Sequence, residues 1–354
     1  MGWIHLPSIP YGCKSSIDTY VIFKYNIMNV LITGGCGFIG SHVVEHLHRK
    51  TSHNIFVIDK LSYSSKGLAR LEDANLLSSK RVHVFTYDLL SPISKGLKIE
   101  LGDINCIIHM AADTHVDNSI SSPVSHIHNN VMSTVNILEY ARGLSNLEKF
   151  LYFSTDEVFG PAPEGVAYKE WDRHRPTNPY SASKSASENI CISYENTYKV
   201  PVMIINVMNV FGERQYVEKY IPKAIKKILN DEEIEIHADC SCENAGTRFY
   251  IHARNVADAV LFILSNGVVG DKYNVTGERE VDNLEMAQII AGVIGKPLKY
   301  KMVNFHEDRP GHDLRYALDG SKLIDMGWQL PVSFDDSLRR TIKWTLEHQE
   351  WLEE

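Results

Sequence analysis

Met28-Asn-Val-Leu-Ile-Thr33-Gly-Gly-Cys-Gly37-Phe-Ile-Gly40 is a short apolar run that breaks into glycines. Ser41 to Lys50 follows with helical spacing, Val43, Val44, Leu47 and His48 falling among polar residues. Strand, glycine turn and helix in that order decide the fold, because the turn must bend tightly and let helix and strand pack closely. The buried-strand pattern recurs in Asn54-Ile-Phe-Val-Ile-Asp59, Arg81-Val-His-Val-Phe-Thr86 and Asn105-Cys-Ile-Ile-His109. It returns over Lys149 to Phe153 and in Pro201-Val-Met-Ile-Ile-Asn206. Helical patterns lie between several of these runs, notably Val124 to Leu144. Strands alternating with helices predict an α/β fold, a parallel sheet covered on both faces with right-handed crossovers.

After residue 206 the rhythm changes. From about residue 213, helical stretches (Glu218 to Leu229, Asn255 to Leu264, Asn283 to Ile294) stand among short strand-like runs, so a smaller second lobe is expected. The predicted organisation is an extension over residues 1–27, a Rossmann-like doubly wound domain over 28–212, and a mainly substrate-binding α/β lobe over 213–354. The extension carries Pro7 and Pro10 and lacks both a basic start and an apolar core, so it does not read as a leader, and Met28 is a candidate natural start.

The chain has 354 residues with 36 Lys and Arg against 44 Asp and Glu, a net charge of −8. That balance, with no basic run, disfavours a general nucleic-acid binder. No apolar stretch approaches the roughly 20 residues that span a bilayer. The six cysteines form no CxxC pair, which points away from a structural zinc site and towards reduced thiols in a cytoplasmic setting.

Gly34-x-x-Gly37-x-x-Gly40 and Gly35-x-Gly37-x-x-Gly40 both fit dinucleotide fingerprints, whose backbone N–H groups and helix N-terminus receive a pyrophosphate. Asp59 ends the next strand 19 residues after Gly40. A carboxylate there accepts hydrogen bonds from a ribose diol and repels a 2′-phosphate, which selects NAD over NADP. Asp88, after the third strand, suits either an adenine contact or an ordinary loop.

Tyr180-Ser-Ala-Ser-Lys184 sets a phenol and an ammonium one helical turn apart. A nearby ammonium favours phenolate, so Tyr180 is expected to act as a base with its pKa lowered by Lys184, which also suits the nicotinamide ribose. Thr155-Asp156-Glu157 follows the fifth strand, at the carboxyl end where ligands sit in such sheets. It reads either as a capping cluster or as an acid/base pair whose pKa values are pushed apart.

These stretches together resemble the extended short-chain dehydrogenase/reductase superfamily and, within it, the nucleotide-sugar 4,6-dehydratases, those acting on dTDP-glucose above all. Further matching stretches are Asp59-Lys-Leu-Ser-Tyr63, Ala111-Ala-Asp-Thr-His-Val-Asp117, Ser154-Thr-Asp-Glu-Val158 and Asp308-Arg-Pro-Gly-His-Asp-Leu-Arg-Tyr316. The resemblance implies tightly bound NAD, regenerated each turnover, contacted also by Phe38, Ile39, Lys60, Ser62, Leu89, Ala111, Ala112 and Thr114. It implies that Tyr180 takes the O4 proton while C4 of the hexose is oxidised, Glu157 removes C5–H, Asp156 protonates the departing C6 hydroxyl, and Thr155 hydrogen-bonds O4. Asn209, Lys219, Arg248, Arg309, His312 and Tyr316 would hold the nucleotide sugar. No metal is implied, and a homodimer through a four-helix interface is.

Some positions depart from the family pattern. Asp113 stands where Glu is usual and Asn118 where Arg is usual, and the segment Asp239 to Gly246 is longer and more polar. All lie towards the substrate, so dTDP-glucose and UDP-glucose both stay open, since one base methyl is worth only about 1–3 kcal/mol. Three other readings remain: a nucleotide-sugar 4-epimerase, a UDP-glucuronate decarboxylase, and a catalytically silent NAD-binding regulator. Asp156 argues against the first two, and the completeness of the site against the third.

Overall fold

The computed structural model describes residues 27–304 and 314–353. Arg309 and His312 therefore lie outside the described residues, as does nearly all of the N-terminal extension. Strands β1 (Asn29–Thr33), β2 (Asn54–Asp59), β3 (Val82–Thr86), β4 (Cys106–His109), β5 (Lys149–Thr155) and β6 (Val202–Val207) form the parallel sheet that the sequence predicts. The short strands β7 (Val210–Phe211), β8 (Ile234–Ala238), β9 (Thr247–Phe249) and β10 (Ile251–His252) follow. After them come β11 (Lys272–Val275), β12 (Glu280–Asp282) and β13 (Tyr300–Asn304). The main sheet has seven strands in the order β11-β6-β5-β4-β1-β2-β3.

Strand alternation divides the apolar residues between the two faces. Val30 and Ile32 join one buried cluster with Val43, Val44 and Leu47 of the glycine-turn helix Phe38–Lys50. Leu31 joins the other with Ile107, Ile137, Phe150 and Ile204. A parallel sheet covered on both faces needs apolar residues at every position, which explains why its strands read as continuous apolar runs.

The chain does not stay in the second lobe after residue 213. The helix Ala253–Asn266 packs Val256, Val260, Ile263 and Leu264 into the same cluster as the glycine-turn helix. The strand β11 pairs in parallel with β6, Lys272 lying opposite Ile204 and Val275 opposite Val207. Residues 251–275 thus complete the first domain, because the open edge of β6 and one sheet face need covering. The second lobe has its own core, in which Ile221, Ile225 and Ile228 meet Ile236, Met286, Ile290, Leu338 and Ile342.

Candidate active site

The glycine turn is built for close approach. Gly34 sits at φ +74, and a Cβ there would fall 2.9 Å from the backbone of Ala111. A Cβ on Gly40 would run into the Gly34 carbonyl, so helix and strand meet with no side chain between them. Gly37 is the N-cap of Phe38–Lys50 and supplies no side-chain cap, so the helix brings its first turn to the cleft through backbone alone. At the end of β2, Asp59 accepts the Cys36 N–H at 3.0 Å with one carboxylate oxygen and the Leu61 N–H at 2.8 Å with the other.

A cleft of about 380 Å³ opens over these carboxyl ends, between the sheet and the second lobe. Gly34, Gly37, Phe38, Ile39, Gly40, Asp59, Lys60, Ser62, Asp88, Leu89, Ala111, Ala112 and Thr114 all line it, as do Thr155, Asp156, Glu157, Tyr180, Lys184, Asn209 and Lys219. Arg248 and Tyr316 stand outside this lining. Instead the Arg248 guanidinium lies 4.7 Å above the Tyr316 ring and donates to the carbonyls of Thr247 and Leu314 at 2.7 Å each. Its charge still reaches Asp156. Asn209 faces the cleft with its side-chain carbonyl buried and unpartnered.

The triplet after β5 and the helix Pro179–Tyr198 are fixed by one residue. Asn178 caps that helix through its side-chain oxygen, which accepts the Ser181 N–H at 2.8 Å, and Pro179 occupies the first turn. The Asn178 amide then donates to Glu157 Oε2 at 3.1 Å. The sequence carries a signal for Asn178, because Asn before Pro at a helix start is a strong cap pattern.

Thr155 does begin a helical turn, as the capping alternative holds, since its hydroxyl accepts the Glu157 N–H at 3.4 Å. It also donates to Asp156 Oδ1 at 3.0 Å and hydrogen-bonds Tyr180. Asp156 is buried, and its Oδ2 lacks a hydrogen-bond partner. Burial first and the Glu157 charge second push its carboxyl up to about 7. Two adjacent carboxyls thus meet different surroundings: Asp156 is dry and reluctant to ionise, whereas Glu157 is half-buried and held by an amide donor.

The lowering of the Tyr180 phenol by Lys184 is not realised in this arrangement. Burial, then the charges of Glu157 and Asp156, hold Tyr180 above an ordinary phenol, with only the Thr155 hydrogen bond acting the other way. Lys184 instead donates to the Phe153 carbonyl at 2.7 Å and sits 4.4 Å over the Tyr152 ring, and burial brings it down to about 8. It remains mostly charged at neutral pH.

The positions that depart from the expected pattern are engaged locally. Asp113 pairs with Lys60 Nζ at 3.0 Å. Asn118 donates to the Tyr63 hydroxyl at 3.1 Å, and that hydroxyl reaches Glu218 at 3.4 Å. Asp239 closes its own turn, accepting from Ser241, Glu243 and Asn244.

Residues 31–341 match the family model described as GDP-mannose 4,6 dehydratase. The chain is 31% identical over 351 residues to dTDP-glucose 4,6-dehydratase of Escherichia coli, which covers 92% of this chain and 95% of the bacterial enzyme. It is 35% identical over 330 residues to a trifunctional UDP-glucose 4,6-dehydratase/UDP-4-keto-6-deoxy-D-glucose 3,5-epimerase/UDP-4-keto-L-rhamnose-reductase of Arabidopsis thaliana. That match covers 92% of this chain but 48% of the plant protein, so the chain spans about half the length of that relative. Among solved structures, the dTDP-glucose 4,6-dehydratase DesIV of Streptomyces venezuelae, crystallised with NAD bound, superposes with a TM-score of 0.82 at 31% identity. The superposition covers 92% of this chain and 99% of that one. Fold, cleft and match over nearly the whole length agree, and the chain belongs to the GDP-mannose 4,6-dehydratase family.

Proposed function

We propose that the chain is an NAD-dependent nucleotide-sugar 4,6-dehydratase that converts dTDP-glucose or UDP-glucose into its 4-keto-6-deoxy derivative. The observation that carries this reading is the pair Asp156 and Glu157 beside Tyr180. A reaction that only oxidises and re-reduces C4 has no use for a dry carboxyl raised far enough to hold a proton up to about neutral pH. Loss of water across C5 and C6 does, because the leaving hydroxyl needs an acid while C5–H needs a base.

The residues at the cofactor end fit NAD. The glycine cradle admits a pyrophosphate at the helix N-terminus, and Asp59 presents a carboxylate to a ribose diol. NAD held there would supply a hydride acceptor for C4 and, once reduced, a hydride donor for C6. The protein does the rest. Tyr180 accepts the O4 proton as its phenolate, the form that the Thr155 hydrogen bond favours, and becomes a neutral phenol. The 4-ketone acidifies C5–H, which Glu157 removes while Asn178 fixes its orientation, and a proton returns to C5 when C6 receives hydride. Asp156 gives its proton to the departing C6 oxygen. Asn209 and Lys219 line the cleft, Lys219 paired with Glu218 at 3.3 Å, and Arg248 stands outside the lining with its charge acting on Asp156.

A homodimer is part of the same proposal. On the helix Pro123–Ala141, Val124 and Ile127 are exposed and Val131 and Val135 half-buried, whereas Ile137 and Leu138 bury against the sheet. Ile127, Val131 and Val135 follow at successive turns and leave an apolar stripe beside the helix Pro179–Tyr198, the face a four-helix interface would cover. No helix among the described residues is long and apolar enough to cross a membrane.

Purified protein incubated with dTDP-glucose and UDP-glucose, with products followed by NMR, tests the reading. A 4-keto-6-deoxy sugar formed without added coenzyme supports it, and the ratio of rates identifies the preferred nucleotide. A galactose-configured product, or no turnover of either sugar, refutes it.

A further inference from the structure

Behind the catalytic face lies a buried carboxylate to which neither the glycine turn nor the acidic pair assigns a role. Glu188 follows Lys184 by one helical turn and Tyr180 by two, so all three share the inner face of Pro179–Tyr198. It is 0% exposed. An isolated ion at such a depth is untenable, so its partners define what it does.

Those partners come from every element around it. From β5, the Ser154 hydroxyl donates to Oε1. From β6, the Asn206 amide donates to the same oxygen at 2.7 Å and also to the carbonyl of Thr155 at 3.2 Å. From β11, Lys272 Nζ, itself buried, lies 2.8 Å from Oε2. His174, in the loop before the helix, brings its Nε2 to 3.5 Å from Oε2 and 3.2 Å from Lys272 Nζ, while its Nδ1 meets Ser185 at 2.9 Å; burial favours its neutral form and the Glu188 charge opposes that. On its own helix are Lys184 and the buried thiol of Cys191, and Tyr152 faces it from β5.

We infer that Glu188 is a positioning residue that sets the active site from behind, holding the end of β5 through Ser154 and Asn206 and balancing the charge of Lys184 against Lys272. The first half follows from connectivity. Ser154 directly precedes Thr155-Asp156-Glu157, and Asn206 ties Glu188 to the Thr155 carbonyl, so the carboxylate anchors the backbone from which the acid and the base project. The second half follows from charge. Lys184 and Lys272 are both buried cations, and Glu188 is the carboxylate that favours the charged form of Lys184 while pairing with Lys272. His109, Tyr152 and Cys191 complete the titratable surroundings of Lys184, and of these His109 is held neutral by burial. This arrangement also gives a reason for β11 to return to the main sheet: it delivers Lys272 to that pair.

The inference rests on the dehydratase reading for its kinetic consequence, so the test includes a readout that needs no turnover. NAD-saturated wild-type protein, Glu188→Gln, Glu188→Asp and Lys272→Met are compared with carbon-labelled lysine. The Lys184 side-chain titration is followed by NMR and assigned with Lys184→Arg. Loss of the Glu188 charge should lower the Lys184 midpoint by about one pH unit, and loss of Lys272 should raise it. Glu188→Asp, which keeps the charge, should stay near wild type. In turnover, Glu188→Gln should cut kcat about tenfold or more with little change in KM, and the alkaline limb of kcat should move down in step with the midpoint. Shifts of the same sign in the Glu188→Gln and Lys272→Met proteins, or none in either, would overturn the inference and leave Glu188 a purely structural group. Opposite-signed shifts in a protein that fails to dehydrate either sugar would uphold the charge balance and refute the dehydratase reading instead.

Discussion

Asp156→Asn should make the protein more stable and nearly inactive, and the gain should depend on pH in a calculable way. Burial first, then the Glu157 charge, raise the Asp156 carboxyl from its ordinary 3.8 to about 7. A folded-state value above the unfolded one means that the wild type loses stability as pH rises, starting near the unfolded value and ending once the folded group ionises. At about pH 4 wild type and variant should therefore differ little. Between about pH 4 and 7 the unfolded wild type ionises while the folded protein resists, and above about 7 the penalty levels off at roughly 4 kcal/mol. An asparagine keeps the Oδ1 that accepts from Thr155, and its amide takes the place of an Oδ2 that already lacks a partner. Some of the gain is lost to that amide, leaving about 1–3 kcal/mol at pH near 8. Denaturant unfolding at the two pH values, read with turnover of the nucleotide sugar, measures both consequences. Equal or lower stability of the variant near pH 8 would refute the buried-acid argument. So would wild-type turnover.

Three other perturbations separate the remaining roles. Tyr180→Phe removes the proton acceptor for O4 but leaves the ring packed at 6.0 Å from His126, so NAD retention should be unchanged and oxidation at C4 should fall at least about a hundredfold, seen as absence of the near-ultraviolet band of bound NADH in a single turnover. Glu157→Gln should still oxidise C4 reversibly yet block water loss, so substrate recovered from heavy water should carry no deuterium at C5, and normal product would assign the elimination elsewhere. Gly34→Ala places a methyl 2.9 Å from the Ala111 backbone at a φ of +74, which should destabilise the domain by about 1–2 kcal/mol and release NAD, readable as lost cofactor after gel filtration.

Much of this was written in local pattern. The strands β1 to β6 were legible because a sheet covered on both faces demands apolar runs, and glycines at 34, 37 and 40 mark a turn that side chains would obstruct. The residues that the sequence assigns to the cofactor end all line one cleft, because they sit at the carboxyl ends of neighbouring parallel strands, in the loops that follow, or in the first turns of the helices Phe38–Lys50 and Pro179–Tyr198. The return of residues 251–275 to the first domain was not legible. The strand β11 is four residues long and contains Lys272 and Asn274, so it carries no apolar signature. Its position is set by pairing with β6 and by a buried charge, both of which are long-range. The electrostatics of Tyr180 differ from the expectation for a related reason. Spacing on a helix fixes which side chains share a face, but it does not reveal that the Phe153 carbonyl takes the Lys184 proton donor while two carboxyls crowd the phenol.

Why the site tolerates so many buried charges follows from how they are distributed. On the cleft side, burial raises Asp156 to about 7 and holds the Tyr180 phenol above its ordinary value, so the cost of a buried anion is deferred to higher pH. On the inner side, Glu188 and Lys272 form an ion pair at 2.8 Å, and Ser154 and Asn206 donate to the other carboxylate oxygen. Such a pair contributes little net stability, because desolvation offsets the attraction, yet breaking it is expensive. Replacing both members at once, as Glu188→Gln with Lys272→Met, should therefore cost less stability than either single change, while still lowering kcat because the anchor of β5 has lost its charge-assisted hydrogen bonds. A double change as damaging to stability as the sum of the singles would mean that Glu188 and Lys272 act independently, and the coupling between the edge strand and the catalytic triplet would fail with it.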